Sequence, residues 1–409
     1  MQSLKKGAIV PTNTNYASLI KRETSLYNDN SKIRSPFERD YTRVLHSTAY
    51  RRLKHKTQVF YNVDSDHICT RMEHVLHVES VSYTIAKKLG LNEELTKAIA
   101  IAHDLGHAPF GHHGEQIISD IAKEHLNESF WHEKNGLYFA DFIELLPNHE
   151  NKYQNLNLTY AVRDGIISHC GEVDNCAVKP RTELIDLQKD FCTAGKFNPI
   201  TLEGCVVKLA DKIAYVGRDI EDALNLGFLS QEDVLELKNI VKLKKGSAIN
   251  TSTIIGEMIG DICKNSSLEK GICLSQVTGE KLSKIKAFNY QKIYSSKRFN
   301  AFKEYSKLII NQIFNTLLEF YSGQDTLKNL KQNKNLYPTL IKEFYSYLCK
   351  YVNAEILLKE DKKYFKDYIN IKIYQNLQNK QIYIKAILDY ISGMTDRYAV
   401  DTFSELIKY

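Results

Sequence analysis

Residues 92–115 read NEELTKAIAIAHDLGHAPFGHHGE, and this stretch decides the fold. Asn92 is of the N-cap type, and Glu93 and Glu94 fall in a first helical turn, where the helix dipole favours acids. Apolar residues then recur every three to four positions up to His103-Asp104, and Gly106 breaks the run. Pro109 and Gly111 punctuate the next ten residues, so a histidine-rich loop is expected after the helix. An imidazole and a carboxylate therefore stand side by side at the C-terminal end of an apolar helix. Borderline and hard divalent metals accept both donor types together. One such dipeptide is a weak signal by itself.

Working outward, residues 71–89 form an amphipathic pattern with Val75, Val78, Val81, Ile85 and Leu89 inward, and Gly90 is placed to stop it. His74 lies on this expected helix, with Arg71 one turn earlier. Downstream, 203–226 reads as a helix in which Asp211 follows Val206, Val207, Leu209 and Ala210. A carboxylate in apolar surroundings is costly unless it is paired or ligates a metal. The bland alternatives are a surface acid paired with Lys208 or Lys212, and for His74 a satisfied core histidine. All 13 histidines lie between His46 and His169, and the 240 residues after His169 carry none. A metal or acid–base site in the first half, completed by other groups, is the natural cause.

Further helices are expected over 36–58, with Ser35 as N-cap and Pro36 at the start, and over 114–126, 131–146, 159–169, 298–321, 337–353 and 381–408. Residues 59–69 hold the best short extended segment, and 239–254 read as a connector. The fold class is mainly α. We expect an N-terminal extension over 1–33, a core carrying the site over 34–230, and a mainly helical C-terminal region over 231–409 packed on that core.

Hydrophobic residues make up 43% and charged residues 25%, an ordinary globular composition. The net charge of +6 allows an anionic substrate and weak nucleic-acid binding, but falls short of a dedicated nucleic-acid footprint. The eight cysteines contain no C-x-x-C pair, which reads as reduced and cytoplasmic. The first 18 residues do not form a basic-then-apolar leader, and no apolar run approaches the length of a membrane span.

Six segments carry a resemblance: RSPFERDYTRVLHSTAYRRLKHKTQVF from Arg34, TRMEHVLHV from Thr70, AIAHDLGHAPFGHHGE from Ala100, LNLTYAVRDGIISHCG from Leu156, VVKLADKIAYVGRDIEDAL from Val206 and DYISGMTDRYA from Asp389. In order and spacing they resemble the deoxyguanosinetriphosphate triphosphohydrolase-like proteins, which are dNTPases of the HD superfamily. The resemblance implies an HD-domain helical core with an additional C-terminal helical region. It implies His74, His103, Asp104 and Asp211 as ligands of a divalent metal, which is Mn²⁺, Mg²⁺ or an iron- or nickel-like ion. The implied reaction hydrolyses a dNTP, dGTP among them, to deoxynucleoside and triphosphate, by metal-activated water attack at the α-phosphorus. His112 and Glu115 match an acid–base pair, and His132 a second active-site histidine; either imidazole is a candidate proton donor. Gln58, Arg71 and Lys212 match residues that contact sugar and phosphates.

Asp211, Tyr215 and Asp219 are spaced i, i+4 and i+8 and so share one helix face. A tyrosine packed under C2′ excludes a ribose hydroxyl, and an aspartate one turn on can accept from a 3′-OH. The bland alternative is a core tyrosine plus a surface acid. His169 and Tyr160 lie in a block that lines the base side in such proteins, while His107 and His113 read as loop-packing rings. Relatives form homo-oligomers, and some take an activating dNTP at a second site. Arg34, Arg39, Arg43, Arg51 and Arg52 suit such contacts, or else a helix face pairing with Glu38 and Asp40. Competing readings are another HD phosphohydrolase chemistry (a 5′-nucleotidase or phosphodiesterase), and a nucleotide-sensing or nucleic-acid-binding protein with little turnover.

Overall fold

A computed structural model describes residues 4–24, 33–61, 67–170, 176–241 and 251–408. The fold is mainly α, 63% helix and 4% strand. The strand content is two short antiparallel pairs among the described residues, Leu145–Pro147 with Tyr153–Asn155 and Ala177–Val178 with Ile272–Cys273.

The two helices that carry His74 and Asp211, Arg71–Leu89 and Leu202–Asn225, lie between two hydrophobic cores. Val75, Val78, Val207 and Ala214 face a core shared with Ile99, Ile166, Phe314 and Ile387. Val81, Ile85, Val206, Leu209 and Ile213 face the other, shared with Ile262, Ile285 and Phe299. Each helix end is set locally. Thr70 and Glu73 form a capping box, with Thr70 N–H donating to Glu73 Oε2 at 2.7 Å. Gly90 stops the same helix at φ +73°, a left-handed conformation that costs glycine little. Asn92 caps Glu93–Ala102 through Leu95 N–H at 3.0 Å.

Several expected boundaries move. The 36–58 helix is Pro36–His46, then Thr48–Arg52, then a 3₁₀ turn at Leu53–His55. Ser47 makes the break: its hydroxyl donates to Val44 O at 2.7 Å and accepts from Tyr50 N–H at 3.2 Å, ending one helix and capping the next. The 114–126 helix begins earlier, at Gly111, because Phe110 takes φ +64°. The 131–146 helix is His132–Tyr138, a π-turn over Phe139–Ile143, and then the strand ending at Pro147. The 381–408 helix divides into Lys380–Ser392 and Asp396–Leu406, the second capped by Thr395. The 337–353 helix opens with a π-turn, Pro338–Lys342, before Glu343–Tyr351. The supposed connector 239–254 contains the end of helix Gln231–Val241 and the start of helix Thr251–Asn265, while 242–250 lie outside the described residues. So do 62–66 of the supposed extended segment, whose neighbours form a single bridge, Thr57 to Thr70.

Two arginines of the run, Arg43 and Arg52, are engaged inside the chain. Asp40 binds Arg22, Arg43 donates to the carbonyls of Leu156 and Asn155, and Arg52 pairs with Glu144 at 2.7 Å. Glu38 closes the Ser35 capping box. All eight cysteines are free thiols. Among the described residues no helix is long and apolar enough to cross a membrane.

The segment before the first long helix is held by a fully buried acid. Glu203 Oε1 accepts from Ile9 N–H at 3.0 Å and Asn92 N–H at 2.9 Å. Burial pushes its carboxyl up to about 7, against the pull of these amides. The folded protein therefore holds this proton more tightly than the unfolded chain, where glutamate titrates at about 4.3. The stabilisation is complete below the unfolded value and is lost as pH rises through about 7. The loss amounts to roughly 3–4 kcal/mol. Glu203→Gln is expected to flatten the fall in Tm between about pH 5 and about pH 8. Thermal melts across that range check this; an unchanged slope contradicts it.

Candidate active site

Residues from three long helices and one loop converge where the two cores meet. His103 follows Ala102 at the end of its helix and is fully buried. Its Nδ1 lies 2.6 Å from Ala100 O, so that nitrogen carries the proton and Nε2 presents a bare lone pair. Nε2 is buried without a hydrogen-bond partner among the described residues. A solvent-shielded lone pair without a donor is what a metal ligand needs and what a core histidine avoids.

The other donors meet it. His74 Nε2 is 3.0 Å from Asp211 Oδ1 and 3.8 Å from Asp104 Oδ2. His103 Nε2 is 3.4 Å from Asp104 Oδ1 and 3.8 Å from Asp211 Oδ1. Two imidazole nitrogens and two carboxylate oxygens at these separations fit one divalent ion. The Asp211 carboxyl is held well below the usual range: burial opposes its charge, and the bond from His74 with the nearby His103 outweighs burial. Asp104 behaves alike, with His107, His103 and Arg71 overcoming burial.

Arg71 is 2% exposed, and its guanidinium donates to Asp104 Oδ2 at 2.8 Å and to the carbonyls of Thr57 and Gln58. Its geometry first fixes Asp104, whatever it also offers a phosphate. Gln58 Oε1 is buried and lacks a hydrogen-bond partner among the described residues, and the residue's backbone carbonyl lies beside Gly111. Lys212 and Tyr215 are partly buried on the Asp211 helix. Asp219, expected to await a sugar hydroxyl or to sit at the surface, is buried and accepts from Tyr294 Oη at 2.5 Å. Burial pushes its carboxyl up to about 7, with Tyr294 and then His74 pulling the other way.

The histidine loop sits against this cluster. Its backbone approaches the His132 helix so closely that a Cβ on Gly106 would stand 2.1 Å from His132 O and from Gly136 N. Asn135 donates to Gly106 O at 2.7 Å. The approach stacks the rings of His107 and His132, 3.9 Å apart at 17°. Glu115 Oε2 then lies 3.1 Å from His132 Nδ1 and 3.6 Å from His112 Nδ1, so one carboxylate serves both imidazoles. His132 is buried, whereas the His112 side chain is 73% exposed at the rim. Burial acts to lower the His132 pKa, but Glu133, Glu115 and Cys170 outweigh it and hold the ring well above the ordinary imidazole value. His169 is buried with Nδ1 on Ile166 O at 2.7 Å, and its ring is 5.0 Å from that of His103. Tyr160 does not join it, because its hydroxyl is occupied by Ile185 and Arg181. His113 packs by the rings of Phe299 and Phe302, as expected of a packing ring, but from the helix Gly111–Leu126 rather than a loop.

Sequence reasoning set His107 aside, yet its Nε2 lies 3.0 Å from Asp104 Oδ1; the i, i+3 spacing from Asp104 was the available signal. It also missed two supports. Lys56 is buried, and its ammonium donates to the carbonyls of His107 and Ser392. Asp396 accepts from Thr57 N–H and Phe110 N–H, both at 2.8 Å, and so pins the Gln58 strip and the histidine loop together. Asp396→Ala should cost about 3–5 kcal/mol through two lost bonds to a buried carboxylate. A urea midpoint within error of wild type would rule out that role.

Helical core, histidine–aspartate cluster and C-terminal helices define a hydrolase of the HD class: residues 71–216 match the HD domain, and 339–405 match the phosphohydrolase-associated domain. A deoxyguanosinetriphosphate triphosphohydrolase-like protein of Caldanaerobacter subterraneus subsp. tengcongensis is 33% identical over 91% of this chain and 85% of its own length. One of Pelagibacter ubique is 32% identical over 91% and 93%, and one of Clostridium tetani 29% over 99% and 95%. The chain belongs to the deoxyguanosinetriphosphate triphosphohydrolase-like family.

Proposed function

We propose that this chain is a metal-dependent dNTP triphosphohydrolase that releases deoxynucleoside and intact triphosphate. The observation that carries the reading is the meeting of His74, His103, Asp104 and Asp211 around the orphaned His103 Nε2. The names of its relatives supply the substrate class. A divalent ion held there, Mn²⁺, Mg²⁺ or an iron- or nickel-like ion, supplies a Lewis acid and lowers the pKa of water.

The remaining chemistry falls to side chains. His112 protonates the leaving 5′ oxygen from Nε2, because Glu115 occupies its Nδ1 side and the ring stands at the open rim. His132, buried and held as imidazolium by its acidic neighbours, offsets charge on the phosphates. Arg71 and Lys212 add positive charge along the same wall. The Gln58 amide oxygen takes a sugar hydroxyl, and Tyr215, with the Tyr294–Asp219 pair behind it, selects deoxyribose over ribose. His169 lines the base side. On this reading residues 34–230 form the catalytic core, and 231–409 buttress it. The eight free thiols support action in a reducing compartment, the cytoplasm.

Metal-controlled, anaerobic purification and then incubation with each dNTP and NTP tests this. Triphosphate and deoxynucleoside are expected from dNTPs, with ribonucleotides poor substrates. Inorganic phosphate or a nucleotide as first product would move the chain to another HD phosphohydrolase chemistry.

A further inference from the structure

Cys170 touches no reacting atom in the proposed reaction, yet it stands beside His132, whose charge it helps to hold, and His169. It lies just past the helix Tyr160–Ser168 and is partly buried, with its sulfur near a ring nitrogen of His132 and of His169. Both imidazoles are anchored through Nδ1, His132 on Glu115 at 3.1 Å and His169 on Ile166 O at 2.7 Å. With Nδ1 engaged, Nε2 is the nitrogen each ring has left to offer a metal. One ligand atom from each of the three residues lies within 4.8 Å of the others, and both rings are buried.

This donor set differs in kind from its neighbour. The His74, His103, Asp104 and Asp211 cluster offers two carboxylates, which suit oxygen-preferring ions. The Cys170 cluster offers sulfur and two nitrogens, the set a borderline-soft ion prefers. Zinc binds such donors tetrahedrally at roughly 2.0–2.3 Å, which separates them by roughly 3.3–3.6 Å. The thiol proton and the Nε2 proton of the His132 imidazolium both pass to solvent as the sulfur–metal and nitrogen–metal bonds form, and the fourth position stays open to water.

We propose that His132, His169 and Cys170 form a second, thiol-containing metal site for zinc or a similarly soft divalent cation, and that filling it suppresses hydrolysis by taking His132 Nε2 from the substrate. The binding half stands on the geometry of the three side chains; the inhibitory half rests on the role given to His132 above.

The test uses the full chain loaded with manganese and titrated first with cobalt, then with zinc. Sulfur ligation shows as a thiolate-to-cobalt charge-transfer band in the near ultraviolet. That band is expected in the wild-type protein, absent in Cys170→Ser, and displaced by zinc. The zinc concentration that halves dNTP hydrolysis, relative to each protein's own turnover in zinc-free buffer, is expected to rise at least about tenfold in Cys170→Ser. An equally intense band in Cys170→Ser would overturn the proposal, as would a lost band with unaltered zinc sensitivity. Should the manganese-loaded chain hydrolyse no dNTP, the proposed function fails on its own. The cobalt band and a chelator-competition zinc titration then still decide the site, equal zinc affinity in the two proteins counting against it.

Discussion

Asp211→Asn is expected to cut kcat at least about 10³-fold, beyond the 10–100-fold that partners outside the ligand shell carry. The substitution keeps the shape of the side chain and removes its charge. Asp211 Oδ1 is the oxygen nearest His74 Nε2 and also faces His103 Nε2. An amide there presents either a weak neutral oxygen or an N–H group aimed at two imidazoles. Bound manganese per chain, measured after gel filtration, should fall in parallel with turnover, while the helix content stays. Full metal content with full turnover would remove Asp211 from the centre and leave the cluster without its most distant contributor in sequence.

His112→Ala carries the second large effect, a fall in kcat of about 10²–10⁴-fold, the range a positioned general acid supplies. Metal content and KM should stay near wild type, because the ring is exposed and 3.6 Å from its partner Glu115. His132→Ala is expected to differ by raising KM as well, since a buried imidazolium is lost from the phosphate side. A nitrophenyl phosphodiester, whose leaving group departs without a proton, separates the two variants. His112→Ala should retain most of its rate on such a substrate. If both variants lose the same factor on it, His112 does not act as the acid.

The centre was legible because each donor sits in a periodic apolar context. His74, His103-Asp104 and Asp211 each succeed or interrupt a run of core residues, which made them candidates, while their grouping as one ligand set came from the family resemblance. The supports were not legible, because they are contacts between distant parts of the chain. Asp396 reaches Phe110 across 286 positions and Thr57 across 339. Nothing local marks Asp396 as more than a helix-start acid. Tyr294 joins Asp219 from a π-turn, a geometry with no residue pattern of its own. The break at Ser47 turned on one hydroxyl bonding its own backbone, which composition does not announce. The helices Gln231–Val241, Thr251–Asn265 and Gln276–Asn289 lie in a lysine-rich region whose weak periodicity gave no boundary.

The helices bearing His74 and Asp211 each present one flank to either core. Close-packed interiors pass small displacements along rather than absorb them. A methyl group gained or lost at Ile387 or at Ile262, far along the chain from any donor, therefore shifts one side of this pair relative to the other. Ion affinity in such a molecule is set partly by remote packing. Evolution can retune it there while every coordinating side chain stays the same.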